Sequence, residues 1–260
     1  MKEIAWVTGA SSGIGEEICR QLAAKGFCII LSSRDKIKLE TVKSSLLNSE
    51  IHLVVPLDLG DTSNISETVS SVFKQVTHVD FVYHCGGISQ RSEAHETPIT
   101  VDRKIMEVNY FGTVALTKAI LPYFQKRKSG HFVVISSISG KFGFYLRSAY
   151  SASKHALQGF FESLLLEERK NNILVTLVYP GKINTPISLS ALDKEGNPHG
   201  VMDHNQQTGM PVDVCVQKLL KAVAENKKEV LIGNKELGAV YLKRFLPSLF
   251  WKVIAKQSAT

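Results

Sequence analysis

Long hydrophobic runs are missing from this sequence of 260 residues. None approaches the roughly 18 uncharged apolar residues of a membrane-spanning helix, so we expect no such helix. Cysteine is scarce too: the four cysteines lack metal-ligand spacing, and most lie in apolar segments. We therefore expect reduced core cysteines, no metal site and a cytoplasmic protein. A strand pattern begins at about Glu3, so we also expect no signal peptide.

An excess of acidic residues is absent as well, because 31 Lys and Arg stand against 24 Asp and Glu, giving a net charge of +7. A positive charge suits nucleic acid, but here it is unevenly distributed. From Lys235 onward there are five Lys or Arg and one Glu, so +4 of the +7 lies in the last tenth of the chain. We therefore expect no nucleic-acid partner.

Short β-rich segments alternate with helical patterns along the chain. The strands are continuously apolar, as a parallel sheet covered on both faces requires. No internal repeat or linker interrupts the pattern. The sequence thus predicts one α/β domain over 1–260, a doubly wound (Rossmann) fold with helices on both faces of a seven-stranded parallel sheet. The predicted strands are 4–8, 28–33, 52–56, 81–84, 132–136, 174–179 and 229–232, and the predicted helices are 13–25, 36–47, 65–76, 101–126, 148–170 and 212–225.

Two segments fall outside this alternation. Segment 185–210 is irregular and contains glycine and scattered apolar residues, which predicts a mobile lid over the substrate. Segment 235–260 is rich in large apolar residues and cations, and Pro247 should split it into two short helices. Two interpretations of this tail stay open: it makes peripheral contact with an anionic membrane, or it folds over the substrate pocket or a subunit interface.

Three glycines, Gly9, Gly13 and Gly15, follow the first strand and open the first helix with G-x-x-x-G-x-G spacing. Such a loop lets the backbone approach a pyrophosphate, whose charge the helix N-terminus stabilises. A merely flexible turn is the alternative, but the strand–loop–helix context favours a dinucleotide site.

The end of the second strand should face the adenosine ribose, where an acidic residue would bind the 2′-hydroxyl. Here Ser33 and Arg34 occupy that position and suit a 2′-phosphate. Asp35 can instead cap the following helix. We therefore favour NADP(H) over NAD(H).

Tyr150 and Lys154 are four residues apart, so in a helix they lie on one face. An ammonium beside a phenol is expected to lower the phenol pKa from its ordinary value of about 10, which makes tyrosine a usable acid or base. Ser137 ends an apolar strand thirteen residues upstream and could meet the tyrosine there. Chance helix content is the alternative for the tyrosine–lysine pair alone.

The glycine loop, the Ser137/Tyr150/Lys154 set and the strand–helix alternation together resemble the short-chain dehydrogenase/reductase family. The resemblance covers essentially the whole chain, and segments 86–92, 103–122 and 153–157 are similar to its member 7 branch and bacterial relatives. It implies further site residues. Asn109 matches the catalytic asparagine, Asp58 and Leu59 match adenine contacts, Gly86 permits close cofactor approach, and Pro180, Gly181, Ile183 and Thr185 match the segment that holds the nicotinamide carboxamide.

Two positions depart from the family pattern. Cys85 replaces the asparagine usual after the fourth strand, and a thiol cannot supply that amide's hydrogen bonds between strands. Ser12 stands where NADP-dependent relatives often carry a basic residue, which counts against NADP(H). Arg91 and His95 follow the fourth strand on the cofactor side. Contact with the substrate is one interpretation of these residues, and a solvated loop is the one we favour.

The predicted function is an NADP(H)-dependent carbonyl reductase or alcohol dehydrogenase acting on an apolar small molecule. Tyr150 would protonate the alkoxide while Ser137 hydrogen-bonds the same oxygen. The resemblance implies that Lys154 also holds the nicotinamide ribose and that Asn109 anchors a water; helix bending is the alternative for Asn109. A sensor or scaffold without turnover is the rival function, which the intact catalytic set disfavours. The cofactor-binding residues predicted are Gly9, Ser11, Ser12, Gly13, Ile14, Gly15, Ser33, Arg34, Asp58, Leu59, Gly86, Tyr150, Lys154, Pro180, Gly181, Ile183 and Thr185.

The predicted helices 101–126 and 148–170 are apolar on more than one face. One apolar stripe suffices for packing on the sheet, so the surplus predicts a two-fold homodimer through these helices, or a homotetramer. Burial within one subunit is the alternative.

Overall fold

Seven parallel strands form the centre of the computed structural model, which describes residues 2–257 apart from the side chain of Asn205. The strands are β1 (Ile4–Thr8), β2 (Cys28–Ser32), β3 (Leu53–Val54), β4 (Phe81–His84), β5 (Gly130–Ile135), β6 (Ile173–Pro180) and β7 (Glu229–Ile232). They lie in the order β3-β2-β1-β4-β5-β6-β7. The order reverses between β1 and β4, which is where doubly wound folds bind ligands. The predicted fold class is confirmed.

Helices cover both faces of this sheet. They are α1 (Gly13–Ala24), α2 (Lys36–Ser45), α3 (Ile65–Gln75), α4 (Ile99–Met106), α5 (Gly112–Arg127), α6 (Ser148–Glu167), α7 (His204–Gln207), α8 (Val212–Ala224), α9 (Gly238–Phe245) and α10 (Pro247–Ile254). Helices α1, α2 and α8 share one apolar core with Val7, whereas α3 to α6 share the other with Trp6. Neighbouring residues of one strand thus lie in opposite cores, which explains the continuous apolar runs.

The predicted helix 101–126 differs from the observed elements. It begins earlier, at Ile99, and a π-helical turn over Glu107–Phe111 interrupts it between α4 and α5. The turn includes Asn109, whose side chain is fully buried and hydrogen-bonds the backbone of Ile88. Such turns frequently mark functional sites.

The two irregular segments pack on the body of the domain. Segment 185–210 pairs with the loop after β4, because the Leu192 N–H donates to the Ser89 carbonyl and the Arg91 N–H donates to the Leu192 carbonyl, at 2.9 and 2.8 Å. The tail forms two short helices divided at Pro247, as expected. None of the helices formed by residues 2–257 is long and apolar enough to cross a bilayer.

Gly112, the first residue of α5, brings this helix against the chain that follows β3. A Cβ atom built at Gly112 would lie 2.0 Å from the Leu59 carbonyl oxygen. This contact involves backbone, so a rotamer change cannot relieve it. Gly159, in the exposed part of α6, has no atom within 4 Å of the same construction.

We expect Gly112→Ala to lower the free energy of unfolding by about 1–3 kcal/mol, because α5 must move away from Leu59. Gly159→Ala is the matched control and should raise it by about 0.5–1 kcal/mol, since alanine restricts the unfolded chain and meets no clash. Urea unfolding of both variants measures the difference. Equal stabilities of the two would contradict this account of Gly112.

Candidate active site

A cleft of about 1400 Å³ runs along the carboxyl ends of the strands. The glycine loop and the end of β2 line one end of it, and segment 185–210 with helices α9 and α10 lines the other. All of the site residues predicted from the sequence line this cleft, except Asn109. The cleft is therefore the candidate site.

The glycine loop has the geometry of a phosphate cradle. Gly9 and Gly13 have φ of +65° and +56°, a region that side chains disfavour. A Cβ at Gly15 would lie 2.3 Å from the Gly9 carbonyl oxygen, so glycine permits the close turn. Ser12 is the N-cap residue of α1, yet its side chain makes no capping hydrogen bond. The start of α1 thus suits the pyrophosphate of a dinucleotide.

The end of β2 carries polar groups suited to a ribose or its phosphate. The Ser33 hydroxyl is buried and has no hydrogen-bond partner among residues 2–257. Arg34 lies beside it, exposed and facing the cleft. Asp35 accepts a hydrogen bond from the Lys38 N–H at 3.0 Å and caps α2. Its carboxylate is thus engaged, and the orphaned Ser33 hydroxyl fits a bound acceptor.

Asp58 and Leu59 border the same half of the cleft. The Asp58 carboxylate accepts from the Gly60 N–H at 2.8 Å, which fixes the loop after β3. Leu59 is buried against Gly86, where a Cβ would lie 2.5 Å from its Cδ1. A side chain at position 86 would therefore collide with Leu59 in the wall of the cleft, and glycine avoids this collision.

The Thr8 hydroxyl makes the side-chain hydrogen bonds that join β1 to the chain around Cys85, which has no side-chain amide. The Thr8 hydroxyl oxygen accepts hydrogen bonds from the N–H groups of Cys85 and Gly86, both at 3.1 Å, and its O–H donates to the Tyr83 carbonyl at 3.4 Å. The link between β1 and β4 thus comes from a side chain of β1. Burial raises the pKa of the Cys85 thiol, which therefore stays protonated.

Helix α6 presents Tyr150 and Lys154 to the middle of the cleft. Gln90 fixes the start of this helix, because its side-chain oxygen accepts from the Ala149 N–H at 2.9 Å. Ser137 follows β5, and its hydroxyl accepts from the Ser139 N–H at 3.1 Å. The structure therefore brings together the serine, tyrosine and lysine that the sequence singled out.

The Tyr150 phenol is buried, and this burial raises its pKa. A hydrogen bond with Ser137 and the charges of Arg147 and Arg91 act in the opposite direction. Burial nevertheless dominates. The expectation that Lys154 lowers this pKa below its ordinary value is wrong for this structure.

The position of Lys154 explains the difference. Its ammonium donates to the Ile135 carbonyl at 2.9 Å and lies 5.7 Å from the centre of the Tyr150 ring. Burial lowers the Lys154 pKa to about 8, so the group is still mainly protonated at pH 7. A helical spacing of four residues aligned the two side chains but did not bring their charges into contact.

Asn109 lies behind the cleft and not in its wall. Its amide oxygen accepts from the Ile88 N–H at 2.8 Å, while its amide nitrogen donates to the Ile88 carbonyl and the Ser153 hydroxyl, both at 2.9 Å. It thereby ties the loop after β4 to α6. Only Gly87 separates it from Lys154, since a Cβ there would lie within 3.6 Å of both side chains. The water-holding role of Asn109 stays a prediction.

The chain after β6 forms the next part of the wall. Pro180 ends β6, and the Lys182 N–H donates to the Glu236 carboxylate at 3.0 Å, which brings the start of the tail over Gly181. Thr185 is buried near Gly13 on the opposite wall. Ile183 also lines the cleft and is bridged to Met210.

Sequence reasoning missed a buried charge cluster at the substrate end. Arg91 was expected to lie in a solvated loop, but its side chain is almost fully buried and paired with Asp203. Arg147 also contacts Asp203. All three side chains line the cleft. Arg147 lies one helical turn before Tyr150, a spacing that could have identified it; nothing in the sequence pointed to Asp203. His95, by contrast, is exposed, with 76% of its side chain accessible.

The family model for short chain dehydrogenases matches residues 3–196. The chain therefore belongs to the short-chain dehydrogenase family of oxidoreductases, and the resemblance inferred from the sequence is confirmed. It is 40% identical to the dehydrogenase/reductase SDR family protein 7-like of Drosophila melanogaster, over 98% of this chain and 80% of that protein.

Solved structures agree with this assignment. A short-chain dehydrogenase from Streptomyces avermitilis is similar at 26% identity with a TM-score of 0.84, covering 99% of this chain and 98% of that one. A variant of ElxO with NADPH bound is similar at 28% identity with a TM-score of 0.67, covering 71% of this chain and 75% of that one.

We expect Thr8→Val to lower the free energy of unfolding by about 1–3 kcal/mol without a change in side-chain shape, because the Gly86 N–H loses its acceptor and the Cys85 N–H keeps only the Tyr83 carbonyl. Thr8→Ser keeps the hydroxyl and should lose less. Thermal or urea unfolding of the two variants provides the measurement. A valine variant as stable as the serine variant would show that this hydroxyl does not hold the β1–β4 link.

Proposed function

We propose that this protein is an NADP(H)-dependent oxidoreductase that interconverts a carbonyl and a secondary alcohol. The observation that carries the proposal is the meeting of Ser137, Tyr150 and Lys154 in the middle of a cleft whose far end holds Ser33 and Arg34. A candidate proton donor and a candidate dinucleotide site therefore share one cleft.

Tyr150 is the general acid in reduction. Its raised pKa keeps the phenol protonated at neutral pH, so it can give a proton to the oxygen of the developing alkoxide. Ser137 has its orientation fixed by the Ser139 N–H and can donate its own hydrogen to the same oxygen. NADPH, when bound, supplies the hydride to the carbonyl carbon.

Other residues would hold that cofactor. The glycine loop suits its pyrophosphate, and Ser33 with Arg34 suits its 2′-phosphate. Protonated Lys154 would hold the nicotinamide ribose, and the segment from Pro180 to Thr185 the carboxamide. The similarity to a protein that binds NADPH supports the same preference.

The substrate is proposed to be apolar. Around Tyr150 the cleft is lined by aromatic and aliphatic side chains, and the tail helices add to this wall. The lining side chains are Phe142, Phe144, Leu189, Leu242, Val253 and Ile254. Such a wall excludes water from the reacting oxygen.

A homodimer through α5 and α6 is the proposed assembly. Each of these helices buries one apolar stripe on the sheet, yet Phe111 before α5 and Leu166 on α6 are exposed. Phe160 and Leu165 are only half-buried. A two-fold partner would cover this second stripe, as in most soluble homo-oligomers.

Peripheral membrane contact is proposed for the outer face of α9 and α10. Their inner face covers the cleft, since Phe250 is fully buried with its ring 5.3 Å from that of Phe142. The outer face exposes Phe245 (70%) and Trp251 (57%). Lys243, Arg244, Lys252 and Lys256 lie in the same stretch and complement anionic lipid. We therefore favour both roles for the tail, one on each face.

We expect Tyr150→Phe to reduce ketone turnover about 10²- to 10⁴-fold, because the proton donor is lost while the ring remains. Cofactor affinity should change little. Stopped-flow absorbance of NADPH with a ketone that the wild type reduces measures the effect. Retention of more than about a tenth of the wild-type rate would contradict the role of Tyr150; a wild type that binds NADPH without turnover would favour the sensor instead.

Arg34→Ala should weaken NADPH binding about tenfold to a hundredfold and NADH binding little, because only NADPH offers a 2′-phosphate to the guanidinium. Calorimetry with both cofactors measures the contrast. Arg20→Ala, which removes an exposed arginine of α1 paired with Glu16, is the control. Equal losses for both cofactors in the Arg34 variant would refute the proposed NADP(H) preference.

Phe245→Ser combined with Trp251→Ser should abolish sedimentation with vesicles that contain phosphatidylserine, because the exposed apolar contacts are lost. Truncation is unsuitable, since it would also remove Phe250, which packs against Phe142 of the cleft wall. Ile37→Ser is the control, as Ile37 is an 81% exposed apolar residue on α2. If the wild type itself stays in the supernatant, the outer face does not bind membranes.

A further inference from the structure

Helix α6 begins without a cap from its own N-cap residue. That residue is Arg147, whose guanidinium carries hydrogen-bond donors only and therefore cannot accept from the first N–H groups of the helix. These N–H groups have no acceptor within the helix either. Tyr150 is the third residue of α6, so the turn that needs an outside acceptor is the turn that carries the phenol.

Gln90 supplies this acceptor from the loop after β4. Its side-chain oxygen accepts from the Ala149 N–H at 2.9 Å, across 59 residues of sequence. Ala149 is the second residue of α6, and its N–H is one of those that an N-cap side chain normally serves. The Gln90 side chain is fully buried and does not line the cleft. Any effect of Gln90 on the reaction must therefore pass through the helix.

The hydrogen bonds at both ends of the Gln90 amide fix its orientation. The Ala149 N–H can only donate, so it identifies the oxygen end of the amide. The Ser92 carbonyl, 3.3 Å from the nitrogen, can only accept, so it identifies the other end. The same nitrogen donates to the Thr97 hydroxyl at 2.9 Å and to the Ser148 hydroxyl at 3.2 Å. The amide thus has one orientation, with its oxygen toward the helix.

The backbone around Gln90 is fixed as well. The Leu192 N–H donates to the Ser89 carbonyl at 2.9 Å, and the Arg91 N–H donates to the Leu192 carbonyl at 2.8 Å. Both neighbours of Gln90 are therefore paired with segment 185–210. A side chain that orients another residue is effective when its own position is fixed in this way.

Tyr150 lies between two such contacts on α6. Gln90 holds the helix one residue before it, and the Asn109 amide donates to the Ser153 hydroxyl at 2.9 Å three residues after it. Ser137, by contrast, stands on the chain after β5, and it hydrogen-bonds the phenol from there. A displacement of the first turn of α6 would therefore separate the two groups that must meet at the reacting oxygen.

We propose that Gln90 is a positioning residue: its side-chain oxygen caps α6 in place of a local N-cap and thereby holds the Tyr150 phenol where it meets Ser137. The inference rests on the proposed function in one respect, since it takes Tyr150 as the acid. Without the cap the first turn frays, and a displacement of about 1 Å is enough to slow a reaction about a hundredfold.

The first test is the effect of Gln90→Met on ketone reduction by NADPH, measured well below the melting temperature. Methionine keeps the length of the side chain and removes the acceptor. We expect kcat to fall about tenfold to a hundredfold because the phenol is displaced. The affinity for NADPH should change little, since the glycine loop and the end of β2 are untouched.

Thr97→Val is the matched control. It removes one partner of the Gln90 nitrogen and leaves the oxygen in place, so it disturbs the same buried network without removing the cap. Its kcat should stay close to that of the wild type even if its stability falls. An equal kcat in Gln90→Met and Thr97→Val would overturn the proposal, because the network would then serve stability alone.

Gln90→Glu separates the acceptor from the donors. It keeps an oxygen for the Ala149 N–H and loses the amide nitrogen, so it should retain most of the wild-type kcat. A loss as large as that expected for Gln90→Met would contradict the capping role. This variant decides the matter alone if Gln90→Met does not fold.

Hydrogen exchange at the Ala149 N–H measures the cap without turnover. This N–H should exchange about tenfold faster in Gln90→Met than in wild type or Thr97→Val, because an N-cap hydrogen bond is lost. Faster exchange together with a lower kcat supports the proposal, and no change in either one overturns it. A wild type without turnover would instead refute the proposed function, and exchange alone would then decide whether Gln90 caps α6.

Discussion

The burial of charged side chains around the start of α6 is the constraint on which the rest of the active site depends. Tyr150, Lys154, Arg91 and Asp203 are all buried, and an isolated buried charge is strongly unfavourable. Each charged group therefore has a fixed partner: Lys154 has the Ile135 carbonyl, and Arg91 has Asp203. Because these partners come from β5 and from segment 185–210, the site is complete only where several separate parts of the chain meet.

The cofactor half of the cleft depends on space instead of charge. A Cβ at Gly9 would lie 2.9 Å from the backbone after β4, and one at Gly86 would lie 2.5 Å from Leu59. The loops that follow β1 and β4 can therefore approach each other only without side chains, and the Thr8 hydroxyl then joins them. The same absence of side chains leaves room for a flat, charged ligand across the switch point of the sheet.

The fold class, the glycine-loop end of the cleft and the tyrosine–lysine pair in its middle could be predicted from the sequence because their signals are local. Continuous apolar strands, the spacing of Gly9, Gly13 and Gly15, and the four-residue interval from Tyr150 to Lys154 each follow from short-range geometry. The spacing of two residues along a helix, however, does not indicate how far their side chains are buried. The predicted direction of the Tyr150 pKa shift was therefore wrong, because burial raises this pKa.

Long-range contacts were the other part that the sequence could not supply. Nothing in an irregular segment marks Asp203 as the partner of Arg91, since the pair forms only when segment 185–210 lies on the loop after β4. The change at Cys85 was visible as a lost amide. The role of the Thr8 hydroxyl as the acceptor in this region could not be predicted, because threonine is common in strands for reasons of shape alone.

Helices α9 and α10 line the cleft on one face and expose apolar side chains on the other, and this has a thermodynamic consequence. Leu242, Val253 and Ile254 face the cleft, whereas Phe245 and Trp251 face outward from the same short helices. Any molecule that orders these helices from outside reduces the entropy that a ligand inside must lose. By linkage, a ligand inside must then strengthen the outside contact by the same factor. Binding in the cleft and any contact made by the outer face would in this sense be a single equilibrium.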